Sequence, residues 1–153
     1  MLGYFLGKGG GGRWVPCCVK GHGRYTVVAS QIEPVDNGLT EVSDWRIEYT
    51  LLNKDLQLLD SQILQAESKM EFLRSVSFFE KNKQLIILGI YRYHRIDMLG
   101  VFEGKLTPII PGLKVLSESD AIHSWSWTND SHEEFILGGV DWIYKVKIIY
   151  PNM

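Results

Sequence analysis

The chain lacks almost everything that would announce a particular chemistry. It holds two cysteines in 153 residues, and they are adjacent, Cys17-Cys18. Sequence neighbours are badly placed for a disulfide, whose Cα atoms stand about 4.4–6.8 Å apart at a restricted dihedral. Beside Trp14 and Val15 the pair reads as small buried hydrophobes with reduced thiols. Met1 to Gly7 is too short for the apolar region of a secretory leader and carries no basic start, so the expected setting is the reducing cytoplasm. No stretch approaches the ~20 apolar residues of a membrane helix, and no membrane association is expected. Excess charge of one sign is missing too: 16 Lys and Arg stand against 18 Asp and Glu, a net −2. Such a surface has no overall field to attract nucleic acid or anionic lipid. His22, His94, His123 and His132 show no metal-ligand spacing, so neither metal nor cofactor is expected.

What is present suits one folded domain. Hydrophobic residues make up 45% and charged residues 22% of the chain, far from the composition of chains that stay disordered. Lys8-Gly9-Gly10-Gly11-Gly12-Arg13 reads as flexible, which makes residues 1–13 a Gly-rich lead and 14–153 a single all-β domain. A phosphate cradle is excluded at Gly3–Lys8. The stretch is one residue short of G-x-x-x-x-G-K, lacks the following Ser or Thr, and leads into no helix former.

Short segments rich in β-branched and aromatic residues follow. Trp14–Val19 and Arg24–Ser30 flank Gly21-His22-Gly23 as a hairpin, and Pro34–Gly38 is a turn. In Asp44–Leu52, Trp45, Ile47, Tyr49 and Leu51 alternate with Arg46, Glu48 and Thr50, the pattern of a half-buried strand. Between 55 and 74 two readings compete. Leu56, Leu59, Ile63, Met70 and Leu73 fall at helical spacing, whereas Leu56–Leu64 also suits a returning strand; the strand is preferred because Asn53-Lys54-Asp55 corresponds to the turn signal at Phe102-Glu103-Gly104. Farther on, Leu73–Phe79, Gln84–Ile90, His94–Phe102 and Lys105–Ile110 form one four-stranded unit. Pro108, Pro111 and Gly112 break the chain, and Ala121–Thr128, Glu134–Val140 and Trp142–Tyr150 begin the next unit.

A spacing of 49 residues ties these segments together. Ser75-Val76-Ser77-Phe78, Ile87-Leu88-Gly89, Tyr93 and Ile96 overlie Ser124-Trp125-Ser126-Trp127, Ile136-Leu137-Gly138, Trp142 and Lys145 without a gap, and Arg46-Ile47-Glu48 overlies Arg95-Ile96-Asp97. Self-similarity at a period of 20–50 residues marks units that must stack to bury their apolar faces. The expected fold is therefore all-β, built from antiparallel four-stranded repeat units of about 49 residues, with a β-trefoil or small β-barrel as the alternative.

Phe72–Phe78, Leu85–Gly89, Arg95–Leu99 and Gly104-Lys105, followed by Ile122–Trp127, Ile136–Gly139 and Tyr144–Val146, resemble the strand order of WD-repeat β-propeller blades. The closing Trp-Asp dipeptide and the upstream Gly-His pair are missing, and Gly138-Gly139 suits a kelch-type blade equally. The resemblance implies a rigid platform for protein partners, usually without catalysis. Three such units do not close a ring of the typical 4–8 blades, so open sheet edges imply self-association, a partner that supplies blades, or origin as part of a longer chain.

The expected function is thus a protein–protein interaction module or scaffold. The alternatives are a propeller-type hydrolase or lactonase and a small-ligand-binding barrel or trefoil. Asn129–Glu134 gathers Ser131, His132 and two carboxylates but reads as a solvated turn. For partner binding, Tyr91, Arg92, Tyr93, His94 and Arg95 form a connecting loop rich in the residue types that dominate interface hot spots, and Trp142 joins them.

Overall fold

The computed structural model of the chain describes residues 12–34, 46–65, 73–92, 95–114 and 121–150, with side chains for 18–32, 46–64, 73–92, 95–110 and 121–150. Among these every regular element is a β-strand. The first sheet is a meander of β1 (Gly12–His22), β2 (Tyr25–Pro34), β3 (Arg46–Leu52) and β4 (Leu58–Gln65). The middle sheet repeats that order with β5 (Leu73–Lys81), β6 (Gln84–Tyr91), β7 (Arg95–Phe102) and β8 (Lys105–Lys114). The last sheet has three strands among the described residues: β9 (Ser124–Trp127), β10 (Glu134–Gly138) and β11 (Ile143–Lys147). All pairings are antiparallel.

Local turn chemistry sets the hairpins. At Asn82-Lys83 and Glu103-Gly104 both central residues have positive φ, the two-residue geometry whose twist matches that of the flanking strands. Between β3 and β4, the Asn53 side chain accepts the N–H groups of Asp55 and Gln57, both at 2.9 Å, and Leu56 takes φ 60°. From there β4 runs as a strand, so the helical alternative over 55–74 fails as far as residue 65, and 66–72 lie outside the described residues. β1 begins at Gly12, within the glycine-rich stretch.

The sheets stack face on face. Val27, Ala29, Ile47, Tyr49 and Leu51 of the first sheet meet Val76, Phe78, Ile87, Tyr91, Leu99 and Val101 of the middle sheet. The opposite side of the middle sheet places Phe79, Ile86, Leu88, Ile90 and Met98 against Phe135, Leu137 and the three tryptophans of the last sheet's region. A sheet covered on both faces needs a continuous apolar strand, which explains the run Leu85-Ile86-Ile87-Leu88. β3 departs from the half-buried expectation in the same direction, since Glu48 and Thr50 are as deeply buried as Ile47 and Tyr49.

Two further expectations are corrected by register. Pro108 and Pro111 do not break the chain. β8 carries both, because it is an edge strand whose outward side needs no N–H donor, and its pairing with β7 absorbs them in shifts around Met98. The gap-free match of the middle sheet onto the last also slips. Ser75 pairs with Ile90 and Ser124 with Gly138, both near the start of the first strand of their sheets. However, Phe78 pairs with Ile87 whereas Trp127 pairs with Phe135, so Phe135 rather than Ile136 takes the place of Ile87. A one-residue slip exchanges the faces of a strand. Accordingly Ile87 is buried while Ile136 lies on the outer face. In the first sheet the 49-residue spacing holds from Arg46 to Arg95, but the hairpins at Gly23 and Asn82 lie 59 apart.

Candidate interaction surface

The expected site residues do not come together on one surface. Tyr91 ends β6 and Arg95 opens β7, and both point into the interface of the first and middle sheets, with 0% and 2% of their surface exposed. They were expected on a solvent-facing loop. The first sheet, stacked on the middle one, covers both side chains and withdraws them from contact with a partner. Arg92 is half-buried, and its carbonyl accepts the Ile122 N–H at 2.7 Å, tying this connection to the start of the last sheet. Tyr93 and His94 lie outside the described residues. Trp142 sits elsewhere, half-buried at the second interface and lying so closely over Gly139 that a Cβ there would come within 2.1 Å of the indole.

What Tyr91 and Arg95 build is a buried polar cluster. Tyr91 donates from its hydroxyl to Asp97 Oδ2, and Arg95 Nε donates to Oδ1 of the same carboxylate at 3.1 Å. Across the interface Tyr49 of β3 adds a hydroxyl 3.0 Å from that of Tyr91 and 3.3 Å from Asp97 Oδ2. The Arg95 guanidinium also lies over the Tyr91 ring, 4.9 Å from its centroid. Burial, together with the neighbouring Asp97 carboxylate, pushes both phenols well above their ordinary pKa. Gly89 makes room for this arrangement: a Cβ there would stand 2.0 Å from the Tyr49 hydroxyl. With every member buried and bonded, the cluster locks one sheet to the next and offers nothing to a ligand.

At the hairpin tips a second cluster forms around β5. His132, expected on a solvated turn, is stacked on Phe79 with centroids 4.3 Å apart, and Trp127 meets it edge-on. Its pKa is lowered, chiefly by burial. Lys81 Nζ donates to the Ser131 carbonyl at 2.8 Å and pairs with Glu133 at 2.9 Å, while the Tyr150 hydroxyl donates to the His132 carbonyl. Ser131 is bonded to Asn129 rather than to His132, so no nucleophile faces a base. Among the described residues no three His, Cys, Asp or Glu side chains group as a metal site would. Cys18 is a free, half-buried thiol whose pKa is raised by burial.

Exposed apolar side chains gather in two places among the described residues: Leu56, Leu58, Leu59 and Ile63 on and just before β4, and Ile136, Val140, Ile143, Tyr144 and Ile149 in and around the last sheet, where they are most exposed. Along β11, Tyr144 and Val146 pair with Leu137 and Phe135 on the core side, where Val146 packs and Tyr144 stays exposed, whereas Ile143, Lys145 and Lys147 pair with Gly138, Ile136 and Glu134 and face out. Ile143 is 79% exposed and Ile136 36%, with Ser124 and Ser126 beside them. Where β3 and β7 are each followed by a fourth strand, β11 has no neighbour on its outer edge among the described residues. No family model matches the chain, and no curated protein matches it either. The outer face and open edge of the last sheet are therefore the candidate surface. Sequence reasoning passed over Ile143, Lys145 and Lys147 because it followed Trp142 and Tyr144, the face that turns inward; the signal it could have used is the alternation of Ile and Lys through Ile143–Lys147.

Proposed function

We propose that this chain is a protein-interaction module, an arc of propeller-blade-like β sheets that serves as a scaffold subunit and performs no catalysis of its own. The observation that carries this reading is the stack itself: successive antiparallel meanders, each burying a face on the next, end in a smaller sheet whose outer face keeps Ile136 and Ile143 in solvent. Stacked blades normally continue until the ring closes. The outer face of the last sheet and the edge of β11 have no neighbour among the described residues, and both can take another chain. Exposed apolar residues rimmed by Ser124, Ser126, Lys145 and Lys147 have the make-up of an interaction patch. A cytoplasmic setting fits, with Cys18 standing as a free thiol.

A photo-crosslinking residue introduced at Ile143 tests the proposal in cells, with one at Phe102, an exposed turn position of the middle sheet, as control. The expected result is a discrete adduct with another protein from position 143 and none from 102. Equal, diffuse labelling from both positions, or none from either, would overturn it.

A further inference from the structure

We propose that β11 is completed by a segment of the partner itself: an extended stretch alternating carboxylate and apolar side chains, added along Ile143–Lys147 as the fourth strand of the last sheet. This rests on the interaction-module reading above and names the chemistry of its partner. A strand added to this edge continues both faces of the sheet. On the inner side it lies next to Val146, which packs on the core of Phe135 and Leu137, and next to Tyr144, which is left exposed, so apolar side chains suit it there. On the outer side it lies next to Lys145 and Lys147. β11 carries these two ammonium groups and no acid, and opposite charges on neighbouring strands attract. Glu134, across the sheet on β10, is 3.7 Å from Lys145 and opposite Lys147, while the Glu133 carboxylate, which also feels Lys147, is already paired with Lys81.

A second copy of the chain fits this edge poorly. Pairing β11 with its own copy so that the faces continue gathers four lysines on one side, and like charges facing across strands destabilise. The other sheet edges supply no acidic row. β1 carries Arg13 and Lys20, β8 Lys105 and Lys114, and β9 no charge. On β5, Glu80 stands between Arg74 and Lys81. Asp60 of β4 already accepts the Leu106 N–H at 2.7 Å.

Fluorescence anisotropy with a dye-labelled, end-blocked peptide of alternating Glu and Val tests this. Its Lys-for-Glu counterpart is the charge control, and two forms methylated on either the Glu or the Val peptide nitrogens test the backbone. The acidic peptide should bind, and the lysine peptide roughly three- to tenfold more weakly, the scale of two reversed cross-strand pairs. One methylated form should lose binding while the other keeps it, because alternate N–H groups of a strand point to opposite edges. K145E/K147E, with its circular dichroism and melting unchanged, should prefer the lysine peptide. Equal binding of both charges, or indifference to either methylation, overturns the inference. If no peptide binds while position 143 still crosslinks to a protein, the inference falls and the module reading stands; if the crosslink is lost as well, both fall.

Discussion

The two interfaces of the stack hold their sheets together by different means. Between the first and middle sheets the apolar contact encloses a charged centre, with Asp97 bonded to Arg95, Tyr91 and Tyr49. Between the middle and last sheets Phe79 meets Trp127 at 5.2 Å amid aliphatic contacts of Ile86, Leu88, Ile90 and Met98. The rings of Trp125, Trp127 and Phe135 meet edge to face within the last sheet at 5.5–6.0 Å, and Lys81 pairs with Glu133 at the more exposed rim. The Trp127 indole adds one hydrogen bond, to Ser77 Oγ at 3.1 Å. A fully satisfied buried polar network rigidifies its surroundings, whereas an ion pair at an exposed rim contributes little. The first interface thus has a buried polar lock, whereas the second, under a smaller and more exposed sheet, keeps its ion pair at the rim.

The largest effect is expected at the charged centre. Asp97→Ala leaves the Arg95 guanidinium buried without its carboxylate and should destabilise the whole fold by about 3–5 kcal/mol in denaturant titrations. A loss under about 1 kcal/mol would mean that the cluster is incidental to the first interface. Next comes Gly89→Ala, which drives a methyl into the Tyr49 hydroxyl and should cost about 1–3 kcal/mol. Adding Tyr49→Phe removes the closest clash, so the pair should be less than additive, and a double-mutant cycle gives the coupling. Trp127→Phe acts on the second interface, removing ring area and the bond to Ser77. About 1–2 kcal/mol is expected, seen by hydrogen exchange as faster opening of β9–β11 while β5–β7 stay protected. Uniform acceleration would erase the contrast between the two interfaces.

The smallest effect is on the alkaline side. A phenol whose pKa is raised by folding holds its proton more tightly in the native state, so its contribution is whole below the unfolded value near 10 and is lost as pH rises through the native one. Tyr150 is pushed up to about 12, Tyr49 and Tyr91 upward as well, all by burial first. Stability should begin to decline above about pH 9, where the half-buried Cys18 thiol holds its proton in the native state, and fall more steeply beyond about 10. Tyr150→Phe should flatten the part of the decline between about 10 and 12 and leave the steeper part that belongs to the first interface.

Much of the strand order was legible because it is set locally. Asn82-Lys83 and Glu103-Gly104 mark two-residue hairpins with no help from the rest of the chain, and Leu85–Leu88 and Arg95–Phe102 are too apolar and β-branched for anything but covered strands. Burial was less legible. Tyr91 and Arg95 have the composition of a binding loop, and what decides their fate is Tyr49, 42 residues before Tyr91 in the chain and in contact with it only once two sheets have stacked. The match of Ile136-Leu137-Gly138 to Ile87-Leu88-Gly89 failed for a related reason. Identity of letters carries no information about register, and the loop before β10, one residue shorter in effect, turns every side chain of that strand to the other face.

Pro108 and Pro111 have a consequence beyond the shape of β8. Each removes a main-chain donor from the margin of the middle sheet, the largest apolar slab in the molecule and the one most able to template a fibre. A stray strand arriving there finds an incomplete ladder and leaves. The two prolines, with the Leu106 N–H already taken by Asp60, leave few free donors along this edge.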